Sequence, residues 1–200
     1  MDSLLKSLPI AISFVALVIS LYVLITAKRQ YQLALKSYSD LHDYNRRQFT
    51  INLLAKWDDS TLAARKCVMY KWQQAFYKED DINWSEIEKY RDEQLNELKT
   101  KGESESKAMV ITDHMGTILN YFDLIAISIE NNIVDEEIMK QAMLNTFHRW
   151  YIILSDYREH VNKKRGYHPW SMLEYLHDQK WFISNPSIKQ TKDATGKIGK

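Results

Sequence analysis

Lys163, Lys164 and Arg165 stand beside Tyr167, His168 and Trp170. Three cations next to rings that can stack are what a nucleotide or another anionic ligand needs, so these six residues are the candidate ligand site. The plainer reading, and the preferred one, puts the cations in the last turn of a helix, where they complement its dipole. Three other pairs have acid–base capacity. Asp156 and His160 lie four apart on one helix face, Asp113 precedes His114, and His168 and His177 are near enough in the chain to approach in space. A helical Asp–His pair is far more often a surface hydrogen bond, solvent exposure explains Asp113-His114 equally well, and no catalytic residue is assigned.

The common catalytic and cofactor signatures are missing. The glycines that adjoin lysines, Gly196-Lys197 and Gly199-Lys200, lack the spacing of a phosphate-cradling loop. There is no H-E-x-x-H, no paired C-x-x-C and no G-x-S-x-G elbow. The chain is therefore expected to be no enzyme and to hold no cofactor and no metal. Its one cysteine, Cys67, builds no intrachain disulfide framework and reads as small core packing. A formal net charge of +1 argues against a duplex DNA partner.

The element that positions everything else is the run Ser7–Ala27, 21 residues without a charge between Lys6 and Lys28. At about 1.5 Å per residue such a helix spans roughly 30 Å, the thickness of a bilayer's hydrocarbon core. Pro9 suits a first helical turn, and Tyr22 lies near one end as an aromatic anchor. A cleaved signal peptide fits less well, because the leading segment balances Lys6 against Asp2 and bulky Ile25 stands where a small residue is preferred. Lys28, Arg29 and Lys36 follow the run, so the positive-inside bias places the carboxyl-terminal part in the cytoplasm.

Behind the anchor the sequence predicts an all-α chain. No proline occurs between Pro9 and Pro169, and there are five glycines in all. Residues 1–6 form a short extracytoplasmic end, 7–27 the transmembrane helix, 28–57 a helical stalk, 58–183 a cytoplasmic helical bundle and 184–200 a disordered basic tail. In the stalk Tyr31, Leu35, Tyr38, His42, Asn45, Phe49 and Asn52 alternate by four and three, a heptad spacing weakened by its polar members. Asp58-Asp59-Ser60 is expected to break the helix, and Asp59, Ser60 or Thr61 to cap the next one. Ser85 and Glu88 match a capping box ahead of a thin-faced surface helix. Lys99–Lys107 reads as a loop. Met115, Leu119, Phe122 and Ile129 mark one core helix ending at Asn131-Asn132. Asp135 caps a second, which runs through Phe147, Trp150, Leu154 and Val161 to Gly166. These two helices form the core hairpin. A turn at Tyr167–Trp170 and a short helix from Ser171 to Phe182 follow.

Ile118–Ala126, Asn132–Ile138, the pair Trp150-Tyr151 and the element Ser171–Leu176 carry a resemblance. Over roughly Asp59 to Leu176 the chain resembles small bacterial and phage proteins that join one membrane helix to an all-helical cytoplasmic domain of unknown function. The resemblance rests on packing residues, implies no activity, and implies the bacterial inner membrane as the address. Proteins of this build are associated with anti-phage defence or superinfection control. The leading expectation is a membrane-anchored module in contact with the lipid bilayer that forms a homo-oligomer or recruits a protein partner. The alternative is a ligand-gated effector of anti-phage defence that senses a nucleotide near Lys163–Trp170.

Overall fold

The computed structural model describes the backbone of residues 2–102 and 109–182, and the side chains of this range from Ala16 onward. Every regular element among them is helical. In chain order they are α1 (Asp2–Lys71), α2 (Gln73–Lys78), α3 (Trp84–Thr100), α4 (Ile111–Glu130), α5 (Glu136–Ile153), α6 (Ser155–Arg165) and α7 (Ser171–Tyr175), then a π-helical segment, Leu176–Trp181. The all-α class expected from the sequence is the class observed. The chain divides into two compact units, Met1–Asn45 and Arg46–Lys200.

The first unit is the leading part of α1. Its described large apolar side chains, from Leu17 through Ile25 and on to Tyr31, Leu35, Tyr38 and Tyr44, are exposed. The Ser20 and Thr26 hydroxyls donate to the carbonyls of Ala16 and Tyr22, each at 2.8 Å, so both are satisfied by their own helix. Among the described residues no helix is long and apolar enough to cross a membrane. Of the run expected to do so, the described side chains are those of residues 16–27.

The second unit begins inside α1. Thr50, Leu53, Trp57, Thr61, Ala64 and Val68 recur every three or four residues, and all are buried. The last turns of the expected stalk are therefore part of the core. The expected break at Asp58–Ser60 is absent. Ser60 and Thr61 donate to the carbonyls of Lys56 and Trp57 instead of capping a new helix. Arg65 reaches back to Asp58 Oδ1 at 2.6 Å and lies 4.2 Å over the Trp57 ring. With Trp57 and Thr61 both packed inward, leaving the helix between them would expose the stripe.

α1 ends at Trp72, whose backbone leaves the helical region, and α2 ends on Glu79 in the left-handed conformation. The expected capping box of Ser85 and Glu88 does not form. The cap is Asn83, in extended conformation, whose side-chain Oδ1 accepts from Ser85 N at 2.8 Å. As expected, α3 is a surface helix, with Ile87 its one buried residue.

α4 is the central helix. Met115, Leu119, Phe122, Ile125, Ala126 and Ile129 are buried as their spacing predicts. The Trp57 ring packs 5.1 Å from Tyr121 and 5.0 Å from Phe122, and Phe122 meets Phe147 of α5 edge-on at 5.1 Å. Asn132 adopts a positive φ of 56° after α4, and Asp135 caps α5 through Ile138 N, both as expected. The turn between them is clamped to α1: Arg46 donates to the Val134 carbonyl, and Thr50 Oγ1 accepts from Asp135 N at 2.7 Å.

The second core helix does not run unbroken to Gly166. It divides at Leu154 into α5 and α6. There the Ile153 carbonyl accepts from Ile82 N at 3.1 Å, and Asp156 N donates to Asp81 Oδ1 at 3.2 Å. The segment between α2 and α3 thus takes over backbone groups that a continuous helix would pair internally. Gly166 stops α6 at φ 72°, as expected. The turn at Tyr167–Trp170 leads into α7, which lies along α4. Most of the expected loop and all of the expected tail, residues 103–108 and 184–200, lie outside the described residues.

Candidate functional site

The six residues Lys163–Arg165, Tyr167, His168 and Trp170 sit where α6 ends and the chain turns into α7; the structure joins Arg165 to Tyr167 and turns Trp170 inward. Lys163 pairs with Glu159 at 3.5 Å on the surface, and Arg165 donates to the Tyr167 hydroxyl at 3.1 Å. His168 Nδ1 lies 3.1 Å from Glu174 Oε2 and 3.0 Å from Asn162 Nδ2. Trp170 turns inward. It is buried, its ring is 5.8 Å from Tyr157, and its Nε1–H donates to Asn120 Oδ1 at 2.8 Å. The ring best suited to stack on a base is therefore packed in the core, and Lys163 and Arg165 are engaged with their own neighbours.

Beneath this turn lies a polar network. Arg158, a buried residue of α6, stacks 3.6 Å over the Tyr151 ring and donates to the Tyr151 carbonyl at 3.1 Å and to Glu174 Oε1 at 3.3 Å. Asn162 donates to the same Glu174 oxygen. The guanidinium ties α6 to α7 by charge, and its place is structural.

The three pairs weighed for acid–base chemistry have other partners in the fold. Asp156 Oδ2 accepts from Trp84 N at 3.3 Å, while His160 stacks on the Trp84 ring at 3.6 Å. His168 and His177 have separate partners. His114 sits beside Asp113, whose carboxylate caps α4 by accepting from Val110 N.

The chemistry-bearing cluster is one that spacing did not reveal. His177, on the π-helical segment, lies with Nε2 2.9 Å from His148 Nδ1 of α5 and Nδ1 2.7 Å from Asp178 Oδ1. Tyr151 donates to the other Asp178 oxygen at 3.0 Å, and its ring stacks 3.6 Å from His177. The imidazole planes differ by 5° with centroids 5.1 Å apart, so the nitrogens meet head-on, as in a hydrogen bond. That geometry leaves no point between them for a metal ion. The carboxylate accepts only, so His177 Nδ1 carries its proton and His177 Nε2 accepts from His148 Nδ1–H. His148 Nε2 is left as the basic nitrogen of the chain Asp178–His177–His148.

Electrostatics keep both rings neutral near pH 7. Burial, opposed by the Asp178 carboxylate, pushes His177 down to about 4, and burial also lowers His148 against the nearby Glu79. A π-helical turn is an uncommon device that recurs at functional places, and here it presents His177 and Trp181 to α5 together. Among the described residues no group of three or more His, Cys, Asp or Glu is placed to hold a metal ion.

A groove of about 500 Å³ opens elsewhere, between the end of α1 and the start of α3, lined by Lys71, Trp72, Lys78, Asp80, Asp81 and Glu86. Trp72 Nε1 donates across it to Glu86 at 3.2 Å. Burial pushes Asp81 up to about 6; the Asp156 amide it accepts from opposes this, and the Asp156 carboxylate adds to it.

The remaining candidate is the exposed surface of α1. Tyr31, Leu35, Tyr38, His42, Asn45, Phe49 and Asn52, the heptad stripe, are all exposed. Leu17, Leu21 and Leu24 continue the same alternation toward the amino terminus and are exposed as well.

Residues 10–181 match a family described as a domain of unknown function (DUF4760), and the chain belongs to that family. No curated protein and no solved structure matches. The match agrees with the resemblance to an all-helical domain of unknown function and carries no statement about membranes or phages.

Proposed function

We propose that this member of the family is a single-pass membrane protein whose helical unit faces the cytoplasm and works by self-association or by recruiting a protein partner. The observation that carries this reading is the exposure of Leu17, Val18, Ile19, Leu21, Tyr22, Val23, Leu24 and Ile25, each 51–70% exposed on one unbroken helix. Fully burying one such side chain is worth roughly 1.5–3 kcal/mol, so leaving eight of them in water forfeits on the order of 10 kcal/mol. They occupy every side of the helix. A partner protein would cover one face, whereas lipid covers all of them. The back-bonded hydroxyls of Ser20 and Thr26 suit the same surroundings, where an unpaired donor is costly. Lys28 and Arg29 supply the cytoplasmic flank.

Fractionation of cells expressing the full chain tests this. The protein is expected in the membrane pellet, resistant to alkaline carbonate and released by detergent. Recovery in the supernatant after gentle lysis, with the first thirty residues still attached, overturns it. The nucleotide-gated alternative draws no support from Trp170, which packs inward against Asn120.

A further inference from the structure

We infer that the partner of α1 is a second copy of this chain, held parallel to the first through the stripe of Tyr31, Leu35, Tyr38, His42, Asn45 and Phe49. The parallel orientation rests on the membrane reading above, because two anchors inserted the same way must run side by side. The stripe itself rests on separate observations.

One is that α1 carries two distinct stripes. Within the second unit Thr50, Leu53 and Trp57 are buried, while Phe49 and Asn52 on the same turns are exposed. At about 100° per residue the two sets lie roughly 100° apart around the helix. Packing within the second unit thus leaves Phe49 and Asn52, the last members of the heptad stripe, uncovered.

The second is the polar layers. In a symmetric parallel pair each seam residue meets its own counterpart. A carboxamide both donates and accepts, so Asn45 facing Asn45 and Asn52 facing Asn52 are satisfied without any further chemistry. A different partner would have to supply a complementary polar group at each of those layers, and an identical chain supplies them by symmetry. Such layers fix register at some cost in stability.

The third is area. Tyr31, Leu35, Tyr38 and Phe49 are 66, 51, 73 and 45% exposed. Aromatic side chains bury about 150–250 Å² each, so these four offer on the order of 450 Å² per copy. A stable pair needs about 800 Å² per partner. The stripe alone supplies over half of that, and co-insertion in one membrane raises the effective concentration of the two copies. Lys28 falls on the stripe at the boundary, where its long stem lets the ammonium turn outward.

Single cysteines introduced into the full-length Cys67→Ser chain test the seam by oxidation in membranes. Leu35→Cys and Tyr38→Cys are expected to give a disulfide-linked dimer. Leu33→Cys and Tyr44→Cys, equally exposed but on the opposite side of the helix, are expected to give at least tenfold less. Equal cross-linking at all four positions overturns the seam, as does none at any of them. With the protein in the membrane pellet, either result leaves the anchor standing. Protein in the supernatant instead overturns the anchor, and with it the parallel pair.

Discussion

His148 and His177 meet nitrogen to nitrogen at 2.9 Å, 29 residues apart in the chain and in one plane. The ring of His177 is held between Tyr151 and Phe182, at 3.6 and 4.4 Å, with Asp178 on its far nitrogen and Arg158 behind Tyr151. A proton on His177 Nε2 would displace the one donated by His148 and place charge in a buried stack.

The acid response follows from that contact. An unfolded histidine titrates near 6.5. Both rings are lowered in the fold, so the stability they contribute is complete above about pH 6.5 and is lost on acidification, for His177 as the pH falls through about 4. Asp81 acts in the opposite sense. It is raised to about 6, so its contribution is complete below about pH 4 and fades as the pH rises through 6. Urea midpoints in mild detergent at pH 7.5 and 5.0 should show a net loss on acidification, smaller in His177→Gln and larger in Asp81→Asn. A His177→Gln chain that loses as much as the parent removes this account.

Trp57 lies on α1 yet belongs to the core, 8% exposed and in contact with Tyr121 and Phe122. Trp57→Ala should cost about 3–5 kcal/mol in chemical denaturation. Tyr44→Ala on the same helix, exposed, should change stability by less than about 0.5 kcal/mol. Equal effects would place residue 57 outside the core.

Gly166 ends α6 at φ 72°, with open space where a Cβ would stand. The cost of Gly166→Ala is therefore conformational and should be about 1–2 kcal/mol, with no clash to relieve. Gly116, which lies within α4 and has the Tyr157 hydroxyl 3.6 Å from a built Cβ, should accept alanine at little cost. Thermal melts of the two variants separate these effects.

Lys163, Lys164 and Arg165 are expected to tolerate glutamate with little loss of stability, since the ion pair at Lys163 is largely exposed and screened by solvent. Cyclic and linear nucleotides at millimolar concentration should leave the melting temperature of the full chain unchanged. A rise of several degrees that Lys164→Glu abolishes would restore the turn as a ligand site.

The sequence discloses those parts whose signals are local. The Met115–Ile129 stripe, the Asp135 cap and the Gly166 stop each lie within a few residues of what they determine, and each stands where the spacing predicts. Remote partners hide the rest. Asp58–Ser60 has capping residues, but whether they cap depends on Trp57 and Thr61 finding a core, and Tyr121 and Phe122 supply it from far along the chain. The division at Leu154 is made by an amide of residue 82. Trp170 follows three cations closely in sequence, yet Asn120, 50 residues earlier, holds its indole N–H in the core. His148 and His177 carried no recognisable spacing, because a π-helical turn sets their register.

The bond from Tyr121 to the Leu53 carbonyl joins groups 68 residues apart. During synthesis at about 5–20 residues per second, Leu53 and Trp57 leave the ribosome roughly 3 to 14 s before the helix that covers them. A nascent chain must shelter that sticky stripe for seconds. Chaperone occupancy should therefore peak as residues 50–68 emerge and fall once α4 has cleared the exit tunnel.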